Sequence, residues 1–192
     1  LFLCDHHLSY MKDDKINNTH NLLLEVLLAA KYEGQSITRD YPKYQATYND
    51  SPSQICTMLA RSFADIGDII RGKDLFRGNN KEKTKREKLE ENLKTIFKKI
   101  YGELKNGRTI GKNVDTLKDP YEGDDNYYQL REDWWALNRK DVWKALTCEA
   151  GTSDEYFRKT ACGGGTTPTH QKCRCVSTDP PTYFDYVPQY LR

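Results

Sequence analysis

The chain has 192 residues, 37% of them apolar and 30% charged, with a net charge of only +2. That length suits one domain or a large piece of one, and the composition implies an economical core beneath a heavily charged surface. The near-neutral total gives no sign of a nucleic-acid partner, and no segment offers the roughly 18 apolar residues that a membrane span needs.

Taken in chain order, the opening "LFLCDHH" has neither a charged leader nor a long apolar run, so no signal peptide is expected there. Both ends read as cut, which places any anchor or export signal outside the fragment. "THNLLLEVLLAAKYEG" (Thr19 to Gly34) predicts a first helix. Apolar side chains ring most of it, implying deep burial, and Gly34 sits where a left-handed C-terminal cap belongs.

Asn49 to Gly72 predicts a second helix, with Ser51 as its cap and Pro52 in its first turn. Ile55, Met58, Leu59, Phe63, Ile66, Ile69 and Ile70 keep a 3.6-residue period and give it one core face. Lys81 to Lys105 predicts the longest helix, striped by Leu89, Leu93, Ile96, Phe97, Ile100 and Leu104. A Gly-, Asp- and Asn-rich stretch then reads as a long loop. "DWWALNRKDVWKALTC" (Asp133 to Cys148) reads as a fourth helix and holds every tryptophan of the chain. An aromatic stripe at helical spacing is normally core. Trp134, Leu137 and Val142 are expected on one face with Leu130 and Ala145, with Trp135 and Trp143 on the adjacent face. Gly151 to Pro181 reads as loop, and "VPQYLR" places Pro188 at the start of a further helix. The fold class is therefore all-α: a bundle of four to five helices with long loops.

Charge is concentrated in one window. From Arg77 to Lys112 there are twelve Lys and Arg against five Glu, so this window carries +7 on a chain of +2. Lys81, Lys83, Lys85, Arg86, Lys88, Lys94, Lys98 and Lys99 sit on or just before the third helix. They form either a solvated face, offset by Glu82, Glu87, Glu90 and Glu91, or a polyanion site. Lys81, Lys85 and Lys88 can share one face, and Lys94 and Lys98 another.

Four of the six cysteines fall in the last 45 residues. Cys162, His170, Cys173 and Cys175 lack the paired C-x-x-C spacing of common zinc sites, so disulfides are expected rather than a metal. "CDHHLS" and "GNNKEKTK" have the spacing of neither a nucleophilic triad nor a phosphate loop, so no enzyme and no cofactor are expected.

"LARSFADIGDIIRGKDLF" (Leu59 to Phe76), the tryptophan segment and "PPTYFDYVPQYLR" (Pro180 to Arg192) together resemble the Duffy-binding-like (DBL) domain. More narrowly, they resemble the α type of the Plasmodium falciparum erythrocyte membrane protein 1 family of variant surface antigens. The resemblance implies that residues 1–192 are the central portion of one such domain, lacking its N-terminal segment and C-terminal helical hairpin. It implies no catalysis. It also implies adhesion from the outer face of the infected red cell to host cell-surface receptors and sulfated glycosaminoglycans, underlying cytoadherence and rosetting. The alternative is a scaffold, with neighbouring domains of the same ectodomain doing the binding. The resemblance further suggests that the tryptophan helix packs on the helix carrying Phe63 and Ile66, making Trp134, Trp143, Phe63 and Ile66 core. It pairs Cys56 with a cysteine of "KCRC", Cys175 first and Cys173 as fallback. Cys148 to Cys162 is then a local bridge, and Cys4 pairs upstream of the fragment.

Overall fold

The computed structural model describes residues 8, 11, 16, 18–48, 54–75, 80–109 and 120–192. It contains four long helices, α1 (Thr19–Tyr48), α2 (Gln54–Arg71), α3 (Asn80–Thr109) and α4 (Tyr128–Leu146). Two short 3-10 turns follow, at Phe184–Tyr186 and Gln189–Leu191. The expected cap and first turn of the second helix, at Ser51 and Pro52, lie outside the described residues.

Helix α4 is the axis of the packing, with α1, α2 and α3 all against it. Three neighbours around one helix explain why its buried positions cover more than half its circumference. Leu130, Trp134 and Val142 face inward, as do Trp135, Trp143 and Leu146. Leu137 departs from expectation. It falls on the far side from Trp135 and Trp143 and is 81% exposed. Phe63 of α2 joins the layers, tilted against Trp135 at 5.2 Å and edge-on to Trp143 at 5.3 Å.

Helix α1 corrects two sequence expectations. Its start follows local chemistry, since the Asn18 side-chain oxygen accepts the Asn21 amide N–H at 2.8 Å. It does not stop at Gly34 but runs on to Tyr48. Gly34 serves a close helix contact instead: a Cβ built there would lie 1.8 Å from the Leu146 carbonyl oxygen. Beside it, buried Glu33 accepts a hydrogen bond from Ser62 Oγ at 3.1 Å. Nor is the helix buried all round. Leu22, Val26, Ala30 and Ile37 face the core, whereas Leu24 and Tyr32 are exposed. An apolar circumference permitted full burial, but α1 has neighbours on one side.

The segment after α4 is irregular, as expected, with isolated bridges at Cys162–Thr167 and Gln171–Arg174. Its disulfides correct the first-choice pairing and take the fallback for Cys56. Cys56 bonds to Cys173, not Cys175, and Cys175 bonds to Cys162. Cys148 is a free, half-buried thiol. The cause is local geometry. Cys173 takes a left-handed backbone conformation, and its carbonyl accepts the Trp143 Nε1–H at 3.2 Å. That anchor holds Cys173 fully buried beside Cys56. Cys175 is left to close the small turn at Cys162, so Cys148 has lost its expected partner. The final helix also shortens, Pro188 preceding only the 3-10 turn Gln189–Leu191.

Two outcomes are expected. A non-reducing peptide map links Cys56 to Cys173 and Cys162 to Cys175, and removing the longer bridge costs about 5 kcal/mol in the chain-entropy model. Gly34→Ala gains about 1 kcal/mol of helix propensity. The backbone overlap outweighs it, so denaturant unfolding should show a net loss of about 1–3 kcal/mol.

Candidate functional site

Helix α3 buries one stripe, made by Leu89, Leu93, Ile96, Phe97 and Ile100. Its other described side chains are exposed or half-buried. Lys81, Lys83, Lys85, Lys88, Lys94 and Lys98 are exposed, and Lys99 is half-buried. Arg86 differs from these. It makes a 3.0 Å ion pair with Asp74, and both side chains are largely covered. Arg86 therefore clasps α3 to the end of α2. Lys83 sits 3.7 Å from Glu87, a surface pair of small energetic weight.

A cleft of about 530 Å³ opens beside α3. Its walls include Ile69, Gly72, Lys83, Glu87, Asn126 and Tyr128. Gly72 has a φ of +72°, and a Cβ there would meet the Tyr128 ring at 2.8 Å. Tyr128 and Asn126 are placed by the start of α4. Asp124 accepts the amide N–H groups of Asn126 and Gln129 and so caps the helix from outside.

Below this surface lies a buried ionic framework. Arg131 of α4 donates to the carbonyls of Ile70 at 2.6 Å and Ile69 at 3.1 Å, satisfying the end of α2. Its Nη1 and Nη2, the latter shared with Ile69, hold Glu90 of α3 at 2.5 and 2.8 Å. Arg139, two turns on, grips Asp185 with both ends of its fork at 2.8 Å. Trp135 Nε1–H donates to the same carboxylate at 2.9 Å. Arg71 of α2 donates to the Asp185 carbonyl and pairs with Asp68 at 3.0 Å. Burial alone would lower the Arg139 pKa, but the hydrogen bond and charge of Asp185 outweigh it and hold the guanidinium charged. Burial raises the Asp65 carboxyl to about 6, against the opposing charge of Arg192.

Trp134, Trp143, Phe63 and Ile66 all lie in the core. Trp134 meets Phe97 of α3 edge-on at 6.2 Å, and its indole nitrogen is buried without a hydrogen-bond partner. Sequence reasoning missed Arg71, Arg131, Arg139 and Asp185. A signal existed, since Arg131, Trp135 and Arg139 recur at four-residue steps on one helix face. Among the described residues, no cluster of His, Cys, Asp and Glu is placed to hold a metal, and no helix is long and apolar enough to cross a membrane.

The Duffy binding domain family model matches residues 1–192. Among solved structures, the chain resembles the NTS-DBL1(alpha-1) domain of Plasmodium falciparum membrane protein 1 (PfEMP1) from the varO strain. It does so at 43% identity and a TM-score of 0.75, over 98% of this chain and 39% of that one. It also resembles the DBLβ domain of the PfEMP1 variant IT4var13, solved bound to ICAM-1. There the identity is 31% and the TM-score 0.63, over 98% of this chain and 40% of that one. The chain thus spans about two fifths of these relatives. No curated protein matches it.

Two substitutions test the framework. Asp185→Ala leaves Arg139 buried without its carboxylate and should cost about 3–5 kcal/mol in urea or thermal unfolding. Trp134→Ala should cost about 3–5 kcal/mol, as for a large core aromatic, and leave ligand affinity intact whenever the protein is folded.

Proposed function

The chain belongs to the Duffy binding domain family, and from that membership we propose that it is the central portion of an α-type host-cell adhesion domain. In this reading it belongs to a malaria variant surface antigen shown on the outer face of the infected red cell. It engages host cell-surface receptors and sulfated glycosaminoglycans such as heparan sulfate, and so serves cytoadherence and rosetting. It carries out no catalysis. The DBLβ relative bound to ICAM-1 supports the receptor part of this reading.

One observation carries the glycan part. The inner faces of α3 and α4 are committed to packing and to the buried arginine framework, while six of the eight basic residues named on α3 stand exposed. Sulfated polysaccharides are linear polyanions. Cations that contact them displace counterions, which makes affinity fall with salt. The glutamates interleaved on α3 oppose this reading in part, and structure reduces their number: Glu90 is held by Arg131.

The test is heparin binding by the complete adhesion domain. Replacing Lys81, Lys85, Lys88, Lys94 and Lys98 by Gln keeps helix propensity and side-chain length. Melting should barely move, since exposed ion pairs contribute about 0–1 kcal/mol each. Heparin affinity should fall, and its dependence on salt should become shallower. Unchanged affinity and unchanged salt dependence would make α3 a solvated face and this chain a scaffold.

A further inference from the structure

Resting on the reading of α3 as a glycan-binding helix, we infer that the contact belongs to one flank of it, the row Lys81, Lys85 and Lys88. The opposite flank, with Lys83, Lys94 and Lys98, takes no part. At 3.6 residues per turn, residues 81, 85, 88, 92 and 99 stack in one row. They are Lys, Lys, Lys, Asn and Lys, with no acid among them. Residues 83, 87, 90, 91, 94 and 98 make the other row, and it alternates three lysines with Glu87, Glu90 and Glu91. Thr84 and Thr95 lie between the two. The helix has therefore sorted its charge. Up to residue 99 one flank carries only cations and Asn92, with Glu82 on its border three residues before Lys85 and Glu103 one turn further on, and the other flank is balanced.

The surroundings sharpen this difference. The balanced flank faces the cleft, where Lys83 already sits 3.7 Å from Glu87 and Glu91 and Lys94 line the same wall. Asp74 is on that wall too, held by Arg86. A sulfate approaching there meets carboxylates at close range, and like charges brought together count against binding. On the cationic flank, Asn92 donates to the Met11 carbonyl at 3.0 Å, so Met11 sits against the row at that point. Lys81, Lys85 and Lys88 lie before that contact and are exposed, while Lys99 lies beyond it and is half-buried. The three exposed lysines span about 10 Å along the axis. They face one way, as a single linear polyanion requires.

Two triple variants of the complete adhesion domain separate the flanks, with heparin as the probe. One replaces Lys81, Lys85 and Lys88 by Gln, and the other replaces Lys83, Lys94 and Lys98. Each removes three charges, so any effect of net charge is common to both, and melting curves confirm that both fold. The first variant should flatten the slope of log affinity against log salt by roughly 0.7–0.9 per lost contact, borrowing the nucleic-acid scale. The second should leave the slope unchanged. An equal or larger loss in the second variant overturns the assignment of the flank, yet leaves glycan binding by α3 standing. No loss in either overturns both.

Discussion

The carboxylate of Asp185 holds this molecule together at the point where its parts would otherwise separate. It lies at the core edge, 1% exposed. It accepts both arms of Arg139 and the indole N–H of Trp135, while its backbone carbonyl takes Arg71. A buried carboxylate this well supplied with donors is tolerated; stripped of them it would be strongly destabilising. Through this one residue, the C-terminal segment, α2 and α4 are locked in a single register. Arg192 extends the lock, pairing with Asp65 at 3.1 Å and also with Asp68.

That lock explains the division of labour among the helices. Because α2 and α4 are fastened by the arginine framework, by Phe63 between Trp135 and Trp143, and by the Cys56–Cys173 bridge, α2 has little surface to offer a ligand and α4 has only its outer face. Helix α3 is attached differently. It docks through one apolar stripe, the Arg86–Asp74 clasp and the Glu90–Arg131 pair. Much of its remaining described circumference is open to solvent. Charge placed there can vary with small effect on stability.

Much of this architecture was legible in the residues, and the failures have physical causes. The apolar periods of α2 and α3 marked real helices, but only α3 buries a single stripe; α2, expected to have one core face, is buried round most of its circumference, Ser62, Asp68 and Arg71 included. Gly34 misled because a helix-ending glycine and a close-packing glycine look alike until the partner is known, and here the partner is Leu146, far along the chain. Leu137 misled because an arc of burial depends on how many neighbours surround α4. The cysteines misled because Cys173 and Cys175 are two residues apart. Only the hydrogen bond from Trp143 to the Cys173 carbonyl decides which one turns inward. Arg131 and Arg139 were visible as a row with Trp135, but Asp185 lies 46 residues beyond Arg139, and no local pattern joins them. On α3 the sorting of lysine and glutamate is written in the 3.6-residue period. Which flank faces a cleft and which faces solvent follows only from the helices beside it.

The central claim is that α2 and α4 form the frame and α3 meets the ligand. Hydrogen–deuterium exchange of the complete adhesion domain, with and without heparin, tests it directly. The account predicts added protection, or altered exchange of neighbouring amides, in peptides from residues 80–109, with those from α4 slow to exchange and unchanged. Protection that appears instead in α4 or the cysteine-rich segment, with α3 unaffected, would contradict it.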